Sequence, residues 1–159
     1  MLLALISFTN IKEMFITVLV SGSTTVDQKF FDKYYKEKMD KYMAKGYRFI
    51  IGGAKGVDML AQKYLLENNY NPELVTIVDK GKQDNRITKK YNHKNGFSSY
   101  TERDAWMTSN SDLDLAVIKQ YGGGGSGTFS NIVRREFGDD VARRIQQLFR
   151  DNATPFEDS

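Results

Sequence analysis

The sequence predicts an α/β domain of Rossmann-like, three-layer architecture, with a mostly parallel sheet flanked by helices. Three observations predict it. Short, β-branched apolar runs at 15–20, 47–51, 74–78 and 113–118 alternate with longer segments of helical spacing. The runs are continuously apolar rather than alternating, as in strands buried on both faces. Glycines gather directly after three of the runs, at Gly22, at Gly52, Gly53 and Gly56, and within 122–127. Strands that alternate with helices imply right-handed crossovers into a parallel sheet, and ligands of such sheets lie at the carboxyl ends of the strands.

Taken in order, residues 1–14 read as an N-terminal extension or an alternative start, with Met14 just before the first strand. The apolar run from Leu2 to Phe8 is too short to span a membrane and has no basic segment before it, so it makes a poor signal peptide. Phe15 to Val20 is the first strand and ends in Ser21-Gly22-Ser23. Asp27 to Lys45 has helical spacing, with Phe30, Phe31, Tyr34, Met39, Tyr42 and Met43 set among lysines. Asp27 suits its N-cap and Gly46 its end. Tyr47 to Ile51 is the second strand, and 57–68 a helix punctuated by Asn69 and Pro72. Leu74 to Val78 is the third strand. Residues 79–97 are polar and rich in asparagine and glycine, and read as a long loop of the kind that is often functional. A helix over 99–110 carries Tyr100, Ala105, Trp106 and Met107, and core is favoured over base stacking for the tryptophan. The fourth strand is Leu113 to Ile118, helices follow at 128–137 and 141–149, and 151–159 is a polar tail. No linker divides 15–150, so one domain is expected there.

Composition narrows the chemistry. With no cysteine there is no disulfide framework and no thiolate metal site. The single histidine, His93, lies among Lys89, Lys90, Asn92 and Lys94 and reads as an exposed loop residue, so no metal and no cofactor is expected. A net charge of +3 and a pI of about 9.0 suit an anionic ligand. The lysines between 29 and 45 read as the solvated face of a helix. Arg134, Arg135, Arg143, Arg144 and Arg150 form a second basic cluster, offset by Glu136, Asp139 and Asp140. No aromatic–basic stripe for stacking bases is evident, which ranks single-stranded nucleic acid behind a small anionic ligand. No export signal is present, and a cytoplasmic, soluble protein with no membrane association is expected.

Two glycine-rich turns carry the chemistry. In Gly52-Gly53-Ala54-Lys55-Gly56-Val57-Asp58, glycines let backbone N–H groups approach a phosphate while the next helix presents its positive end. Lys55 offers a point charge, or is simply an exposed lysine. Asp58 suits the first turn of a helix whatever the function and is equally placed to take a ligand hydroxyl. The pattern is neither a Walker A loop nor the Gly-x-Gly-x-x-Gly fingerprint. The second turn, from Gly122 through Gly124, Gly125, Ser126 and Gly127 to Thr128, is the strongest single signal, because four consecutive glycines are costly to order and their amides make a phosphate nest. Ser21, Gly22 and Ser23 read evenly as pocket wall or helix cap, and Arg103 offers a bidentate phosphate contact.

In this order the segments resemble the SMF/DprA–LOG (SLOG) superfamily of Rossmann-like nucleotide-related proteins. The resemblance spans about residues 15–137. It rests on Ser21-Gly22-Ser23, Gly52-Gly53-Ala54-Lys55-Gly56-Val57-Asp58, Arg103-Asp104-x-x-Met107 with Ser111-Asp112, and Gly124-Gly125-Ser126-Gly127-Thr128. It implies a nucleotide-derived ligand at the strand ends. In its phosphoribohydrolases a glutamate and an arginine are catalytic; here Arg103 matches the arginine-bearing helix, but the glutamate position is Asn131. An asparagine hydrogen-bonds a ribose yet supplies no charge to an oxocarbenium-like transition state. The expectation is therefore a binding or sensing protein. The alternatives are a nucleoside-monophosphate N-glycosidase with a relocated carboxylate (Asp58, Glu102, Asp104 or Glu136) and a single-stranded-DNA binder like DNA-processing protein A. The resemblance also implies a homodimer that completes the pocket.

Overall fold

Apolar runs of four or five residues, each bounded by glycine or a polar turn, become strands in the computed structural model, which describes residues 16–81, 89–118 and 125–151. They are β1 (Thr17–Ser21), β2 (Arg48–Gly52), β3 (Val75–Val78) and β5 (Leu113–Ala116). A three-residue strand that the apolar pattern does not announce, β4 (Asn92–Lys94), joins them inside the expected 79–97 loop. The five strands form one sheet in the order β4-β3-β2-β1-β5, and every pairing is parallel. Among the described residues six α-helices flank it: α1 (Gln28–Tyr34), α2 (Lys36–Ala44), α3 (Val57–Glu67), α4 (Tyr100–Ser109), α5 (Gly125–Phe137) and α6 (Asp139–Asp151). No helix among the described residues is long and apolar enough to cross a membrane.

The helices divide into two layers. On one face Val18, Val20, Phe49, Ile51, Val75 and Ile77 pack against Phe31 of α1, Met39 of α2 and Val57, Ala61 and Leu65 of α3. On the other, Leu19, Ile50 and Val78 pack against Met107, with Trp106 and Phe97 beside them. This is the core placement favoured for the tryptophan. Residues of both faces are almost wholly withdrawn from water, which is why the strands read as unbroken apolar runs. Arg135 of α5 fixes that helix to the second face by pairing with Asp114 of β5 and the Ser111 carbonyl.

Element boundaries differ locally from the expectation. Asp27 caps α1 by accepting from the Phe30 N–H, but the single helix expected over 27–45 breaks at Tyr35. The last helix starts at Gly125 rather than 128, so Gly125-Ser126-Gly127 form its first turn instead of a free loop. Gly122 to Gly124 and the 152–159 part of the tail lie outside the described residues, as do 1–15. His93 is exposed as expected, yet it sits in β4 rather than in a loop.

Chain order places the site. From β1 the chain steps outward to β2, β3 and β4, then crosses to the far side of β1 to form β5. The order of the sheet thus reverses between β1 and β5, and open parallel sheets bind their ligands outside the carboxyl ends of the strands at such a point.

Candidate functional site at the carboxyl edge of the sheet

Four chain segments converge on this edge. β1 ends in Ser21-Gly22-Ser23, and Gly22 packs so closely on Tyr35 and Val57 that a side chain there would collide with both. β2 ends in the Gly52–Gly56 turn, where Gly56 lies at φ 72 with its α-carbon against the Ser23 carbonyl and the Thr24 backbone. That combination of positive φ and close backbone contact admits only glycine. Val57 N–H donates to the Ser23 carbonyl at 3.1 Å, tying the two turns together. Gly56 is also the N-cap of α3, and no side chain caps that helix. Its first amide, that of Val57, is instead taken by the Ser23 carbonyl, and Asp58 places a carboxylate in its first turn.

Carboxylates crowd the same place. Asp58, in the first turn of α3, accepts from the Ala54 N–H at 3.2 Å, and its Oδ2 lies 2.6 Å from where a Gly52 side chain would begin. Asp79, the residue after β3, packs its carboxylate directly on Gly53. Asp104, on the sheet-facing side of α4, is 8 % exposed and receives both Nε and Nη2 of Arg103, at 3.1 and 2.9 Å. Packing pushes the Asp58 carboxyl up to about 7. The Ala54 N–H and Arg103 oppose this rise, while Asp104 and Asp79 add to it. Asp79 is also raised, chiefly by burial, against the pull of Arg103 and His93. Asp58, Asp79, Asp104 and Arg103 thus share one electrostatic neighbourhood drawn from three elements. Perturbed groups gathered in this way make the edge a candidate functional site.

A cationic rim borders the carboxylates. Tyr100, exposed on the first turn of α4, has the Lys80 ammonium 5.2 Å and the Arg103 guanidinium 4.9 Å from its ring centre.

At the same end of the sheet, the Tyr35 hydroxyl donates to the Ser21 carbonyl at 2.8 Å and accepts from the Val117 N–H at 2.9 Å. One buried side chain so bridges the carboxyl ends of β1 and β5. Burial raises this phenol to about 12, keeping it protonated and able to donate.

The residues expected from sequence distribute as follows. Ser21, Gly22, Gly52, Gly53, Gly56, Asp58 and Arg103 come together at this edge. Ser23 lies there too, but its hydroxyl is engaged locally with Thr25, as a turn-forming serine would be. Lys55 is exposed on the outside of the turn. Thr128 and Asn131 are buried on α5, and the Asn131 carbonyl oxygen accepts from Arg134 at 2.9 Å. Gly125 to Gly127 open α5, and Gly124 lies outside the described residues. Two members of the C-terminal basic cluster are internal: Arg134 pairs with Asp139, and Arg135 with Asp114.

Asp79, Lys80, Tyr100 and the Tyr35 bridge escaped the sequence reading. Asp79 had one available signal, its place immediately after an apolar run, equivalent to that of the glycines after the neighbouring strands. Among the described residues no group of three or more acidic or histidine side chains is arranged to hold a metal ion. The chain matches no protein-family model, no curated protein and no solved structure.

Proposed function

We propose that the chain binds a nucleotide or nucleotide-derived phosphorylated ligand across the carboxyl edge of the sheet, as a binding or sensing protein of the SLOG kind. The observation that carries this reading is the meeting of Asp58, Asp79, Asp104 and Arg103 beside a glycine turn whose helix has no side-chain cap. A glycine turn at a helix N-terminus and Arg103 suit a phosphate, and the carboxylates suit the donors of a sugar or base. The overall charge of +3 favours an anionic ligand. The test is thermal stabilisation by a panel of ribonucleotides and nucleotide sugars. A ligand at a hundred times its Kd adds about 2.7 kcal/mol, which is a shift of several degrees in a domain of this size. A flat response to the whole panel would overturn the reading.

A second reading, an N-glycosidase, is favoured by Asp58. Of the four carboxylates that might replace the missing glutamate, Glu102 is exposed and engaged with Ser98, and Glu136 is exposed near the end of α5. Asp58 and Asp104 remain at the edge. A carboxyl titrating near 7 is suited to pass a proton to a departing base. Free base released from a nucleoside monophosphate by the parent, and lost with Asp58→Asn, would establish this activity. No release from any ribo- or deoxyribonucleotide leaves binding alone.

A further inference from the structure

Tyr100 is 61 % exposed, and two cations from different elements lie on its ring. The Lys80 Nζ, two residues beyond β3, is 5.2 Å from the ring centre, and the Arg103 Cζ, on α4, is 4.9 Å from it. The two charges are therefore no farther apart than about twice those distances. Elsewhere among the described residues Tyr34, Tyr47 and Tyr64 each carry a single lysine. The arrangement at Tyr100 is fixed from the backbone. The Lys80 carbonyl accepts from the Gly96 N–H at 3.1 Å and the Phe97 N–H at 3.0 Å, which ties the end of β3 to the segment leading into α4.

The neighbouring carboxylates do not neutralise this pair. Asp79, next to Lys80 in the chain, is turned onto Gly53. Asp104 takes Nε and Nη2 of Arg103, so Nη1 is not used by that pair. Glu102, beside Arg103, is engaged with Ser98, whose N–H donates to it at 2.8 Å. Among the described residues Lys80 enters no ion pair. Lys94 brings a third cation to the α4 side, 5.8 Å from the ring centres of both Phe97 and Trp106.

Like charges on one ring repel, and the ring's quadrupole offsets only part of that. An anion between them relieves the repulsion and gains charge-assisted hydrogen bonds from both. Arg103 also acts on Asp58 and Asp79, so an anion here adjoins the edge site instead of standing apart from it. Rings that already carry cations are poor platforms for bases, which disfavours a nucleic-acid strand stacked along this rim.

We infer that Lys80 and Arg103 hold a second phosphate of the ligand, so that the site takes nucleoside di- or triphosphates in preference to monophosphates. The inference rests on the nucleotide reading above and adds the number of phosphates. Arg103, to which that reading already assigns a phosphate, is the link, and Lys80 extends the contact to the next one.

The experiment is calorimetric titration of the whole chain, in magnesium-free buffer, with the mono-, di- and triphosphates of adenosine, guanosine, cytidine and uridine. For the nucleoside that binds, the diphosphate is expected to be about tenfold or more tighter than the monophosphate. Lys80→Gln is expected to remove most of that gain. Lys38→Gln takes the same charge from an exposed lysine of α2, which packs on the opposite face of the sheet, and is expected to keep the gain in full. Equal affinity of the parent for mono- and diphosphate overturns this inference and leaves the nucleotide reading standing. So does a preference that Lys80→Gln leaves undiminished, or one that Lys38→Gln lowers as much, which would be a response to net charge alone. Binding of none of the compounds removes both.

Discussion

Asp58 concentrates the cost of the site in one side chain. Its ordinary value is 3.8 and packing carries it to about 7, so between those limits the folded chain holds a proton that the unfolded chain has released. The contribution of Asp58 to stability is accordingly complete below about pH 4 and is lost as pH rises through about 7. Asp79, shifted in the same direction, adds to the trend. The urea midpoint of the parent is expected to fall between about pH 4 and pH 7, with a local slope approaching ~1.4 kcal/mol per pH unit. Asp58→Asn, which cannot ionise, is expected to flatten most of it. Parallel profiles for parent and variant would show that Asp58 titrates normally. At this scale Asp58 and Arg103 were legible, since each follows or faces a recognisable turn. Asp79 was not. A lone aspartate after a strand reads as a turn residue, and only the strand pairing brings it onto Gly53.

At the scale of elements, the break between α1 and α2 has a purpose that helical spacing conceals. Tyr35 ends one helix and begins the next at φ -116, with its ring stacked 5.6 Å from that of Phe31. From there its hydroxyl reaches both Ser21 and Val117. Tyr35→Phe keeps the ring packing and strands a carbonyl and an N–H in the interior. The expected loss is ~1–3 kcal/mol by urea denaturation. A phenylalanine variant as stable as the parent would mean that the bridge is redundant. The same locality explains what the apolar pattern missed elsewhere. Asn92, His93 and Lys94 of β4 are all exposed, so pairing with β3 rests on the backbone and on the Asn92 amide, which donates to the Glu73 and Val75 carbonyls, and leaves no hydrophobic trace. Glycines 125 and 127 argued for a loop by propensity alone, but they lie in the first turn of a thirteen-residue helix, where the rest of the helix outweighs their local preference.

For the molecule as a whole, the sheet class and the gathering of glycines at one edge were readable because four apolar runs and the glycines after them follow from burial and turn sterics. Strand order was not readable, since it depends on contacts far apart in the chain. β1 meets β5 across a separation of 95 residues, from Thr17 to Asp112. Pairings of that span close late, because long loops must be ordered before contact repays them. The three short strands β1, β2 and β3, with α1 to α3 on one face, are the part joined by nearer contacts.

One consequence of β4 reaches beyond the fold. As an edge strand it is only three residues long and presents asparagine, histidine and lysine to solvent. Short, charged edges are how natural sheets avoid templating a neighbour's strand. On that side the molecule is closed to growth by strand addition, and the longer β3 behind it is shielded from aggregation by a segment too polar to have looked like a strand.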